Sequence, residues 1–148
     1  MRRIFVTDES WTGLIIRIGL GAVMLPHGAQ KVLGWFGGPG FSQAMTNFTL
    51  HMHIPGFLAL LVIIAESFGA LGLILGFFTR LAAFGLLCDM LGAIIMVHWP
   101  NGWFMNWTGK QAGEGFEYHI LVIAICLALM IAGGGRGSVD GALAKRIR

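Results

Sequence analysis

Arg17, His27, Lys31, Glu66, Asp89, His98 and Glu117 stand inside or at the edges of long apolar runs, and Gln30 sits beside them. Ionisable groups are costly in hydrocarbon, so in a membrane helix they face a protein interior or a wet cavity. Carboxylates and imidazoles exchange protons, which makes Glu66 and His98 candidates for a proton relay. His27, Lys31, Gln30 and Glu117 supply donors and acceptors for a polar pocket, with His119 near its edge. His51 and His53, even with His98, form no metal-ligand pattern, because two histidines in a loop lack a fixed third ligand. The glycine-rich GWFGGPG at 34–40 neither follows a strand nor carries the Gly-Lys-Ser/Thr of a phosphate loop, so it reads as a turn. No Ser-His-Asp arrangement can be drawn.

The elements that must position these residues are apolar helices. The chain has 148 residues, 56% hydrophobic and 11% charged. A soluble domain carries about a quarter charged residues. The net charge of +3 comes with no basic face, which excludes a nucleic-acid partner. Cys88 and Cys126 fall in apolar runs without disulfide or CxxC spacing and read as packing residues. Four spans are expected, at about 12–33, 57–78, 81–97 and 116–132, the last two short for a bilayer. Residues 1–10 read as a tail before an uncleaved anchor, since no small-x-small site comes after them and Arg17 interrupts the apolar run. Thr79 and Arg80 read as a tight turn, and Gly72 with Gly76 as a GxxxG helix-contact face.

Basic residues set the orientation. Arg2, Arg3, Arg80, Arg136, Lys145, Arg146 and Arg148 fall on one side of four spans, against Lys110 and the edge residue Lys31 on the other. The positive-inside rule then puts both termini in the cytoplasm. Phe41, Ala44, Met45, Phe48 and Met52 recur at helical spacing in the first outer loop and predict a short helix on the membrane surface. Trp103, Phe104 and Trp107 keep the second outer loop at headgroup level. The reading is an all-α integral membrane four-helix bundle, one transmembrane domain over 1–148, with an interfacial helix.

Depth then suggests partners. Counting along the helices puts Arg17 roughly 9 Å and Asp89 roughly 12 Å from the cytoplasmic edge, a depth-matched structural pair. The same count puts His27 roughly 9 Å and Glu66 roughly 13 Å from the outer edge, so Glu66 reaches either His27 or the long stem of Lys31. The competing account is that these groups only hold the helices together. Polar contacts between membrane helices average well under ~1 kcal/mol, a small return for so many costly residues.

Several stretches together resemble the DoxX family of small bacterial membrane proteins. They are Arg17-Ile-Gly-Leu-Gly, His27-Gly-Ala-Gln-Lys31 with the GWFGGPG turn beyond it, and Glu66-Ser-Phe-Gly-Ala-Leu-Gly. Thr79-Arg80, His98-Trp-Pro-Asn-Gly-Trp-Phe, Glu117 and Gly133-Gly-Gly-Arg-Gly-Ser-Val-Asp140 continue the series. Trp103-Phe104 stands where Phe-Phe is frequent in the family. The resemblance covers nearly the whole chain and implies a four-helix protein of the bacterial inner membrane. DoxX resembles DoxD, the membrane partner of a thiosulfate:quinone oxidoreductase. By that likeness the chain is expected to be a quinone-interacting subunit of a membrane oxidoreductase system. A redox partner protein would supply the electrons, since the chain has no flavin, haem, iron–sulfur or metal motif. It would be the membrane subunit of an enzyme rather than an enzyme alone, and a homo-oligomer is compatible with it. A small-solute or proton transporter and a membrane scaffold for a redox partner are the alternatives.

Overall fold

The computed structural model describes residues 2–146, so Arg148 of the charge argument lies outside the described residues. The elements are α1 (Arg2–Phe5), α2 (Trp11–Leu33), α3 (Gly40–Thr46), α4 (Gly56–Leu75), α5 (Thr79–Asn101), α6 (Glu117–Ala132) and α7 (Val139–Arg146). No strand occurs among the described residues. Three helices, α2, α4 and α5, are long and apolar enough to cross a membrane, and α6 is apolar but has 16 residues. At 1.5 Å per residue that is about 24 Å, short of a ~30 Å hydrocarbon core. The third span exceeds its expected bounds, since α5 runs on through a π-turn at Ile94–His98 into the 3₁₀ turn Trp99–Asn101. The helix expected in the first outer loop is α3, extended by a π-turn at Asn47–His51.

Helix α2 packs on α4 and α6, and α5 packs on α6 and α4. Leu73, Leu86, Cys126 and Leu129, contributed by α4, α5 and α6, are fully buried between them. Large apolar side chains also point outward: Ile95 is 73% and Ile131 81% exposed. An apolar exterior of this extent marks a surface that meets lipid.

Both ends of the described chain lie on one face, where α1 packs against α7. There the structure corrects two readings. Thr79 and Arg80 are not a turn but the first residues of α5, and the reversal is made by Gly76 (φ 67°) and Phe78 (φ 49°). Gly76 is therefore the left-handed C-cap of α4 rather than part of a GxxxG face, and a Cβ there would stand 2.5 Å from Ser138 Cβ.

Arg17 does not pair with Asp89. Its guanidinium is buried and donates to backbone carbonyls: Nε to Gly134 at 2.7 Å, Nη1 to Leu73 at 2.9 Å and to Ile74, and Nη2 to Gly137 at 3.3 Å and Arg136 at 3.4 Å. The last carbonyls of a helix have no partner inside it and carry the negative end of its dipole, which is what a buried cation needs. Arg80 does the same for α6, donating to Met130 at 2.9 Å and Ile131 at 3.0 Å. Asp140 supplies the complement, accepting the N–H groups of Phe78 and Thr79, each at 2.8 Å, at the start of α5. Farther out, Lys145 pairs with Glu9 at 2.6 Å and holds its carboxyl below the usual range. This pair contributes above the ordinary carboxylate range and is lost as acid protonates Glu9. It is exposed, so its worth is small.

Arg17→Met removes the donors from five buried or half-buried carbonyls. Unfolding in detergent is expected to show a loss of about 3 kcal/mol or more. Combined with Asp89→Asn it gives additive losses, because the two side chains share no contact.

Candidate functional site

The site is built where α2 meets the middle of α4. Glu66 lies in a π-turn, Ala65–Gly69, that interrupts α4. Such wide turns inside α-helices are frequent at functional sites. Gly28 of α2 lies directly against this turn, and a Cβ there would overlap the backbone of Glu66 and Ser67. One turn further along the same face, Lys31 reaches Glu66, and Nζ donates to Oε2 in an ion pair. Side-chain exposures of 20% for Lys31 and 9% for Glu66 place this pair out of bulk water.

Of the two partners depth allowed for Glu66, the structure selects Lys31. His27 is exposed. The reason is helical geometry: Gly28 faces the π-turn, and His27 is rotated about 100° from it. Asp89 joins the pair instead of joining Arg17. Its carboxyl lies near Glu66 and Lys31, and its Oδ2 is buried without a hydrogen-bond partner. Tyr118 of α6 closes the cluster: its side chain lies near Glu66, and its hydroxyl meets Met24 Sδ at 3.6 Å. Sequence reasoning missed Tyr118, which offered no signal beyond a lone polar aromatic at the start of a span.

A recess of about 250 Å³ opens beside Lys31, lined by Gln30, Lys31, Pro39, Ala44, Asn47, Phe48 and Met52. Its walls come from the C-terminal end of α2, the glycine-rich turn and α3 with its π-turn extension. Gln30 also donates weakly to the Phe36 carbonyl at 3.4 Å, and a Cβ on Gly38 would overlap the Gln30 backbone, so the turn folds tightly over α2. Lys31 therefore has two neighbourhoods, the recess on one side and the buried carboxyls on the other.

The remaining candidates belong to a second group. His98 Nδ1 donates to the Glu114 carbonyl at 2.8 Å, which leaves Nε2 as its other functional atom. Its ring lies 4.1 Å from that of His119, which is buried with Nδ1 unpartnered. Glu117 was expected in the polar pocket. It instead ties the second outer loop to α6, accepting the Met105 N–H at 2.9 Å while its own N–H donates to Trp103 O at 2.9 Å. Phe116 stacks on Trp99 at 5.4 Å and holds the same loop down. The structure thus brings together Lys31, Glu66 and Gln30 with Asp89, ties His98 and Glu117 to the second loop, and packs the His119 ring against both His98 and Tyr118.

Gly28→Ala is expected to lower the thermal stability in detergent by about 1–3 kcal/mol, because the methyl forces two backbones apart. Gly19→Ala on the same helix, where a Cβ meets nothing within 4 Å, leaves it unchanged or slightly raised.

The family model described as DoxX matches residues 12–99, a segment that contains Gly28, Lys31, Glu66 and Asp89. No curated protein and no solved structure matches the chain.

Proposed function

The chain belongs to the DoxX family, and from that premise we propose that it is a quinone-handling membrane subunit of an oxidoreductase system in the bacterial inner membrane. In this reading α6 spans with α2, α4 and α5 as a four-helix bundle, and α3 lies at the outer interface. Both termini face the cytoplasm, where Arg80, Arg136, Lys145 and Arg146 gather.

The observation that carries the proposal is the double position of Lys31, which lines the recess and pairs with Glu66 behind it. A quinone ring is flat and apolar and presents carbonyl acceptors. Phe48, Met52, Pro39 and Ala44 give it apolar walls, while Lys31, Gln30 and Asn47 give it donors. Reduction to the quinol adds two electrons and two protons per ring. A redox partner protein supplies the electrons, and the carboxyls behind Lys31 stand where they can pass protons inward to the ring.

Protein purified in mild detergent is expected to carry quinone in excess of a control membrane protein prepared alongside it. Chromatography of the extracted lipids reads this directly. A charge-assisted hydrogen bond is worth ~1.5–3 kcal/mol, so Lys31→Ala or Glu66→Gln lowers the occupancy about tenfold or more. Quinone at the control level removes the proposal. Proton or solute flux in proteoliposomes, abolished by Glu66→Gln, would then assign the site to transport.

A further inference from the structure

We propose that Arg136, held over the Trp11 ring, is a clasp for the phosphate of an anionic phospholipid in the leaflet on the face that carries both described ends. The inference is independent of the recess and of any reading of its ligand.

The clasp is built by backbone. Trp11 is the first residue of α2 and is 60% exposed, so its ring stands at the boundary where tryptophans gather in a bilayer. The Arg136 guanidinium carbon lies 4.8 Å from the centre of that ring, within cation–π range. Arg136 belongs to the tight segment between α6 and α7, which close contacts hold against the start of α2. A Cβ on Gly13 would stand 2.8 Å from Gly135 Cα, and the Arg136 N–H donates to the Ser10 carbonyl at 3.0 Å. The Gly135 N–H donates to Thr7 Oγ1, and Arg17 grips the Gly134, Arg136 and Gly137 carbonyls. The main chain therefore fixes this segment, and the Arg136 side chain is not needed to fasten it.

What the side chain keeps free is its edge. A guanidinium over an aromatic ring uses one face and leaves its in-plane N–H fork for an acceptor. Among the described residues the Arg136 guanidinium donates no hydrogen bond and joins no ion pair. Glu9, the carboxylate that feels its charge, is occupied by Lys145 at 2.6 Å. Arg136, Lys145 and Arg146 are all exposed. Two phosphate oxygens match such a fork as a bidentate, charge-assisted pair. The phosphodiester of a membrane lipid carries those oxygens at headgroup level, beside the Trp11 ring. A net negative headgroup fits this basic face, whereas the ammonium of a zwitterionic one is repelled by the neighbouring cations.

Native mass spectrometry of the full chain in mild detergent, titrated with phosphatidylglycerol or phosphatidylcholine, reads the affinity. The anionic lipid is expected to bind more tightly. Arg136→Gln is expected to lose about tenfold of that affinity, the worth of a charge-assisted contact. Arg136→Lys keeps the charge but not the fork, and stays below the native protein. Lys110→Gln, in the second outer loop, leaves the affinity unchanged. Native-level binding in Arg136→Gln or in Arg136→Lys overturns the clasp. Added inorganic phosphate is expected to leave the lipid bound, and its displacement would overturn the choice of a lipid over a free anion. Solid-state NMR of the native protein in bilayers of the same anionic lipid decides even if a variant fails to fold, through dephasing of arginine Cζ by lipid ³¹P. The Arg136 signal is expected to dephase while that of buried Arg17 does not. An Arg136 signal that stays undephased overturns the proposal.

Discussion

The contact between Lys31 and Glu66 is the constraint on which the middle of the molecule depends. A glutamate buried in an apolar helix pack needs a cation beside it, and removing Lys31 leaves Glu66 as an uncompensated buried charge. Their meeting requires the α2 and α4 backbones to touch, which Gly28 permits, and it requires Glu66 to be aimed across the bundle, where the π-turn places it. Asp89 and Tyr118 then complete a polar core that has apolar helices on its outer side and a recess at its mouth.

The rest of the fold serves to hold that core in place by a different device. At the face that carries both described ends, Arg17 and Arg80 satisfy the carbonyls that close α4 and α6, and Asp140 satisfies the N–H groups that open α5. Backbone groups that end a helix away from water must find partners. Here the partners are long side chains from other elements, so the helix ends are cross-linked rather than merely capped. At the opposite face the ties are carried by loops: Glu117, Glu114 and the Trp99–Phe116 stack fasten the second outer loop, and the glycine-rich turn folds over Gln30. The recess lies at this looser end.

Much of this was legible in the chain. Apolar runs interrupted by charges gave helices at 12–33 and 57–78 within three residues of α2 and α4, and helical spacing gave α3. Depth along a helix narrowed Glu66 to two partners, one of them Lys31. Depth failed for Arg17 and Asp89 because it fixes height but not azimuth, and side chains at matching heights can stand on different sides of the bundle. The preference of a buried arginine for helix-terminal carbonyls also leaves no trace in a search for acidic partners. Small residues one turn before a polar one, Gly28 before Lys31 and Gly85 before Asp89, were the overlooked signal, since close backbone approach decides which helices meet. The π-turns at Ala65–Gly69 and Ile94–His98 have no comparable mark, because each arises from packing rather than from propensity.

The central claim is that the Lys31 ammonium touches the Glu66 carboxyl where α2 meets α4. Solid-state NMR in lipid bilayers measures it directly, as the dipolar coupling between a ¹⁵N-labelled Lys31 Nζ and a ¹³C-labelled Glu66 carboxyl carbon. The account predicts strong dephasing that corresponds to ion-pair contact, with nitrogen and oxygen within about 4 Å. Lys31 and Glu66 signals that show no mutual coupling in the ligand-free protein would contradict it.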